Sequence, residues 1–177
     1  MAGNRQTILF FVFLAGLGIL SVSLSWLKKP AYFLARERIR IPETDLTIQI
    51  LEGYQYFQNS GLNISKDLLN LSSTPTFHFR REGYTDTYRS YQTPADVLPR
   101  IFSQDFETPE VRIINGIQVY LSRYIGNNSA HTRVVLALLF YENIYVSFYA
   151  WGLPSEIEPI YTMVETMLLS LQVEPDN

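Results

Sequence analysis

The hydrophobic and polar positions of this chain are most ordered between residues 111 and 172. Four apolar runs, at 111–114, 117–125, 133–140 and 144–151, precede a stretch in which apolar residues return every three or four positions, so the segment reads as a ββββα unit. Asn115-Gly116 separates the first two runs and suits the two positive-φ positions of a tight hairpin turn. In the second run Ile117, Val119 and Leu121 alternate with Gln118, Tyr120 and Ser122, which predicts a strand with one apolar face, near the edge of a sheet. The third and fourth runs are apolar on both faces, and such strands must be covered on both faces. Gly126-Asn127-Asn128-Ser129 and Glu142-Asn143 supply the turns around them. The helix that follows carries Ile157, Ile160, Tyr161, Val164, Leu168 and Leu171 as one stripe, with Glu156, Thr162, Glu165 and Gln172 opposite as a solvent face. Ser155 and Glu158 have the spacing of a capping box, and Pro154 stands just before the cap.

Upstream the signals are shorter. Residues 46–51 alternate Leu46, Ile48 and Ile50 with Thr47, Gln49 and Leu51 as a strand that Gly53 ends. Residues 54–73 follow neither period cleanly and read as a short strand or a short helix, with a turn at Asn59-Ser60-Gly61. Residues 76–81 predict a strand with Phe77 and Phe79 on one face and His78 and Arg80 on the other. Thr93 caps a helix that Pro94 opens and that runs to about residue 104, carrying Val97, Leu98, Ile101 and Phe102, with a kink at Pro99. The sum is an α+β chain, an antiparallel sheet covered by helices.

The N-terminus is different in kind. Residues 8–27 are apolar and uncharged, about the length a helix needs to cross a hydrocarbon core of roughly 30 Å. The expected organisation is a short tail (1–7), a transmembrane helix (8–27), a basic membrane-proximal linker (28–43) whose Lys28 and Lys29 meet membrane lipid, and a globular domain (44–177). The rival is a cleaved signal peptide, with small residues at Ser21 and Ser23 or at Ser23 and Ser25; the continuation of the apolar run to Leu27 favours the anchor. Lys28, Lys29, Arg36, Arg38 and Arg40 follow the run and only Arg5 precedes it, so the positive-inside rule alone keeps the domain on the cytoplasmic face.

Composition removes options. A net charge of −3 with scattered basic residues does not make a nucleic-acid surface. Zero cysteines exclude disulfides, thiolate metal sites and thiol catalysis. No P-loop, Gly-x-Ser-x-Gly or dinucleotide fingerprint is present, since Gly16-Leu17-Gly18 falls inside the apolar run. His78 and His131 lie far apart in sequence without accompanying carboxylates and read as solvated strand positions rather than metal ligands or bases. Glu156 and Glu158 are accounted for by the helix dipole. No catalytic, metal or cofactor residue is assigned. Of the twelve tyrosines, Tyr84, Tyr88 and Tyr91 cluster with Arg81 and Arg89 and form a candidate partner-binding patch, because Tyr and Arg are enriched at protein interfaces. The alternative is a half-buried strand edge.

The order of elements, with Gly116-Ile117-Gln118-Val119-Tyr120 in a strand and Ser170-Leu171 closing the last helix, resembles the PsbP-like and DcrB-like proteins, where a Gly-x-x-x-Tyr strand and a terminal Ser-Leu or Ser-Phe recur. The resemblance spans roughly residues 46–173. It implies an αβα sandwich, export or attachment to the far side of a membrane, and an accessory or assembly role without enzymatic activity. The lipobox cysteine of the lipoprotein members is absent, and no functional residue carries over. The expectation is therefore a membrane-anchored accessory module with an extracytoplasmic domain that binds protein partners of a membrane complex. The alternative is a small-molecule or lipid-binding domain. A flat aromatic patch would mark the first, and a concave apolar pocket with converging polar groups the second.

Overall fold

The computed structural model describes residues 32–58, 61–66, 75–81, 94–102, 104–127, 130–141 and 144–174, and these belong to one compact unit, Tyr32–Asn177. The ββββα unit forms as the pattern predicts. Strands Leu34–Arg40 (β1), Leu46–Leu51 (β2), Gln55–Gln58 (β3), Leu62–Ser65 (β4) and Thr76–Arg81 (β5) come first, then helix Pro94–Ile101 (α1). Glu110–Ile114 (β6), Ile117–Arg123 (β7), Thr132–Tyr141 (β8) and Ile144–Gly152 (β9) follow, then helix Ile157–Leu168 (α2) and the two-residue strand Gln172–Val173 (β10). Asn115 and Gly116 hold φ of 50° and 83°, so the β6–β7 hairpin closes through the positive-φ pair that the dipeptide predicted.

Seven strands make an antiparallel sheet in the order β3-β4-β5-β9-β8-β7-β6. Its inner face is apolar across five strands. Leu62 pairs with Phe79, Phe79 with Phe148, Phe148 with Ala137 and Ala137 with Leu121, and all five are buried. Phe79 and Phe148 stack with centroids 3.9 Å apart. β8 is covered on both faces as expected, with Val134 to Leu139 all buried. On its outer face the Ser122 hydroxyl, one strand over, donates to the Glu107 carbonyl at 2.6 Å, so the segment after α1 crosses that side.

The helix stripe is also found. Ile160, Tyr161, Val164, Met167 and Leu168 are buried, and Leu171 just beyond them closes the same core. The capping box is not. Pro154–Glu156 form one turn of 3-10 helix, the helix starts at Ile157 behind Glu156, and no side chain caps it. Pro154 explains the difference, because its fixed φ starts a helical turn one residue before Ser155 and leaves Ser155 inside that turn. The solvent face is not wholly solvated either: Arg112 of β6 bridges Glu165 at 2.7 Å and Glu110 at 2.8 Å.

A second, three-stranded sheet, β1-β2-β10, was not expected. It changes two readings. The stretch taken as a basic linker, 28–43, contains β1, which pairs along β2 from Leu34 opposite Leu51 to Arg40 opposite Thr47. Arg38 is bound into the fold: its guanidinium donates to the Thr47 hydroxyl at 3.1 Å, to the Thr47 carbonyl and to the Ser170 carbonyl, and lies 3.4 Å from Glu174. The expected α+β arrangement is found with two antiparallel sheets where one was anticipated. The helix α2 touches β8 and β9 of the large sheet and β2 of the small one, while Tyr56, Gln58 and Arg81 of the large sheet bond to Glu37, Arg40 and Glu43 around β1. A helix and a small sheet thus share one face of the large sheet.

The region read as neither period supplies β3 and β4. Gly61 is needed at their junction, because a Cβ there would collide with the Phe79 carbonyl oxygen and press to 3.1 Å from the His78 ring. The run 8–27, Lys28, Lys29, Thr93 and the Glu142-Asn143 turn lie outside the described residues. Among the described residues no helix is long and apolar enough to cross a membrane.

Candidate functional site

Pairing sets the outer-face side chains in rows that cross the strands. One row runs Phe57, Asn63, His78, Tyr149 and Leu136, and the next runs Gln55, Ser65, Thr76, Trp151 and Arg133. Where the rows begin they bound an open cleft of about 430 Å3, lined by Asn63, Ser65, Thr76, His78, Tyr149 and Trp151, with Phe57, Ile64, Phe77 and His131 completing it. The size is within the range of small-molecule sites.

Its walls are rings. His78 lies against Tyr149 with centroids 4.9 Å apart and planes at 32°. His131 stacks on Trp151 at 6.3 Å and 15°. The Arg133 guanidinium lies 4.6 Å from the Tyr149 ring centre and 5.4 Å from that of Trp151, a cation over two aromatic faces. His78 Nδ1 is 2.6 Å from Asn63 Oδ1, within hydrogen-bond distance. His131 Nε2 is buried and has no hydrogen-bond partner among the described residues. Among the described residues that line it, none is acidic. Chemically the cleft offers aromatic and hydrogen-bonding groups, and the Arg133 guanidinium that rests on two of its rings is not among the residues lining it.

This corrects the reading of the two histidines as separate solvated positions, since the β5–β9 pairing and the start of β8 bring both to one cleft. The signal that could have found it is the alternation within β9, where Tyr149 and Trp151 interleave with Phe148 and Ala150. Reading that strand as apolar on both faces merged wet aromatics with core residues. No metal centre is added: among the described residues no group of three His, Asp or Glu could hold an ion.

The sequence-derived patch is only partly placed. Arg81 ends β5, donates to the Glu43 carbonyl at 2.8 Å and stands 4.0 Å from its carboxylate. Tyr84, Tyr88, Arg89 and Tyr91 lie outside the described residues. A different surface stands at the far end of the outer face. On the edge strand β6, Val111 and Ile113 are 54% and 77% exposed. The pairing carries their rows to Tyr120 and to Phe140 and Tyr145, whose rings contact in series at 5.6 and 5.7 Å.

No family model matches this chain, and no curated protein matches it. Among solved structures the chain is similar to cyanobacterial PsbP (CyanoP) from Synechocystis sp. PCC 6803, at 11% identity and a TM-score of 0.46, over 82% of this chain and 95% of that one. No residue role, partner or activity passes from that protein to this chain.

Proposed function

We propose that this chain is a non-enzymatic accessory module, tethered to a membrane through residues 8–27, that binds a protein subunit of a membrane complex with its domain on the extracytoplasmic side. The observation that carries the reading is the β6 surface. Two β-branched apolar side chains, Val111 and Ile113, stand in solvent on the edge strand of a sheet and continue into the Tyr120, Phe140 and Tyr145 rings. A contiguous apolar patch on an edge strand is exposed at a cost in solubility and is the usual mark of a docking surface. The apolar run and its flanking lysines support the tether, and the family resemblance supports the side of the membrane against the charge rule.

The test is affinity purification from membranes in mild detergent, comparing the full chain with Ile113→Asp. The expected result is a partner that co-purifies with the first and is lost with the second, while circular dichroism and melting stay unchanged. Equal recovery with both would overturn β6 as the docking face. Intact-mass measurement of the membrane-extracted chain checks the tether, and protease added to sealed right-side-out vesicles checks the side.

A further inference from the structure

We propose that the partner docks by strand addition: an extended segment of it joins the seven-stranded sheet at β6 as a further antiparallel strand, with β-branched apolar residues facing Val111 and Ile113 and a basic residue facing Glu110. This rests on the β6 docking reading and adds to it the form and the chemistry of the partner.

The first observation is the backbone. The two-residue turn Asn115-Gly116 makes Ile114 and Ile117 the closing hydrogen-bonded pair of the β6–β7 hairpin, so Ile114, Arg112 and Glu110 bond toward β7, and Val111 and Ile113 turn their N–H and C=O groups to the open edge. Among the described residues neither makes a backbone bond to another segment. The ladder with β7 runs without a register shift, and no Pro or Lys stands within Glu110–Ile114 to guard the edge. The opposite edge of the sheet differs, since Tyr56 and Gln58 of β3 are tied by their side chains to Glu37 and Arg40.

The second is the alternation of side chains. Val111 and Ile113 stand exposed on the outer face, and Glu110 and Arg112 lie on the other. An added strand sets its own alternate residues directly opposite these, apolar on one face and polar on the other.

The third is charge, which selects the occupant. Arg112 is matched by Glu110 and Glu165, so it does not repel an incoming strand. Arg123 is matched by Glu107 and Glu158 and lies over the Tyr161 ring, whose hydroxyl donates to Glu110. Two guanidiniums thus stand among four carboxylates, and Glu110 and Glu158 keep more than half of their side-chain surface in solvent. A basic side chain opposite Glu110 is attracted there and an acidic one repelled. A second copy of this chain fits worse. Two-fold antiparallel pairing centred on Arg112 sets that residue against itself, and pairing centred on Val111 leaves the Ile113 carbonyl facing Pro109, which has no N–H.

The experiment is calorimetric titration of the full chain in detergent with the peptide acetyl-Thr-Val-Thr-Val-Arg-Thr-Arg-amide, in which antiparallel pairing puts the two Val opposite Ile113 and Val111 and the first Arg opposite Glu110. Saturable binding is expected. N-methylation of both Val removes the donors that face β6 and should weaken binding by about tenfold or more, whereas N-methylation of the Thr between them and of the first Arg, whose N–H groups point away, should leave it unchanged. Replacing both Arg by Glu should also cost about tenfold, and Glu110→Gln should shrink that ratio. Val111→Pro removes one outward N–H, keeps an apolar side chain and suits an edge strand. It should lose the peptide and, in purification from membranes, the partner that Ile113→Asp loses. A partner retained by Val111→Pro and lost by Ile113→Asp would leave docking on β6 intact and overturn strand addition; if Val111→Pro unfolds, the methylated peptides on the unaltered chain decide alone. Equal affinity of the two methylated peptides, tighter binding of the Glu peptide, no saturation by about 1 mM, or a dimer of the full chain that Ile113→Asp abolishes would each overturn the proposal.

Discussion

The strands β5 and β9 do opposite work on their two faces. Phe77, Phe79, Phe148 and Ala150 point inward and are fully buried, while Thr76, His78, Tyr149 and Trp151, their immediate neighbours in sequence, point outward and keep part of their surface in water. The inner residues meet other strands, α2 and the small sheet. The outer ones meet one another and a guanidinium. One chain segment therefore carries the core and the candidate site at a spacing of one residue, and the period-2 geometry of a strand is what keeps them apart.

The comparison is tested most severely at the stacked pair. Phe79→Ala removes a fully buried ring 3.9 Å from Phe148 and should cost about 3–5 kcal/mol, read from urea unfolding. Its outer counterpart Phe57 is 38% exposed, and Phe57→Ala should change stability by no more than about 0.5 kcal/mol. Comparable losses at both would mean that the outer face is part of the core.

The sequence revealed the inner face far better than the outer one, and the reason is physical. Burial selects apolar residues at a fixed period, so β6 to β9, the α2 stripe and the Phe77/Phe79 face were legible. Asn115-Gly116 was legible because few dipeptides accept two positive φ values. The small sheet was not, because β1 reads Leu-Ala-Arg-Glu-Arg-Ile-Arg, and its charged residues suggest a linker until Thr47, Ser170 and Glu174 appear as the partners of Arg38. The cleft depends on pairing β5 with β9 across the chain, which no local period encodes.

Gly116 tests the edge of the inner face. At φ 83° a β-branched side chain is strained, so Gly116→Val should destabilise by about 1–2 kcal/mol although nothing crowds the site sterically. The loss should be smaller than at Phe79, since the hairpin closes only the outermost pair of strands.

At that same edge the inner face turns from apolar to ionic. The Arg112 guanidinium, hydrogen bonded to Glu110 at 3.0 and 2.8 Å, holds the Glu110 carboxyl below the usual carboxylate range. A carboxyl with a lowered folded-state pKa adds stability that is whole above its unfolded value of about 4.3 and is lost as pH falls through the folded value. Glu110→Gln should therefore lower the unfolding midpoint slightly at pH 6, and the gap from the unaltered chain should close toward about pH 3. A gap of constant size across that range would assign the effect to packing and not to charge. The shift is expected to be small because the Glu110 side chain is 56% exposed.

The smallest effect bears on what holds α2 against the inner face. If the helix depended on its N-terminus, Ser155→Ala would cost the ~0.5–2 kcal/mol of a lost cap. But Ser155 lies within the 3-10 turn that Pro154 starts, and no side chain caps α2. The stability of the helix then comes from Ile160, Val164, Met167 and Leu168 on the sheet, and helices of this length draw most of their stability from packing. Ser155→Ala should stay within about 0.5 kcal/mol of the unaltered chain, while Leu168→Ala should cost about 2–5 kcal/mol. Urea unfolding of the two variants side by side decides it: a Ser155→Ala loss above about 1 kcal/mol would restore the cap that the sequence suggested and reduce the share of the inner face in holding the helix.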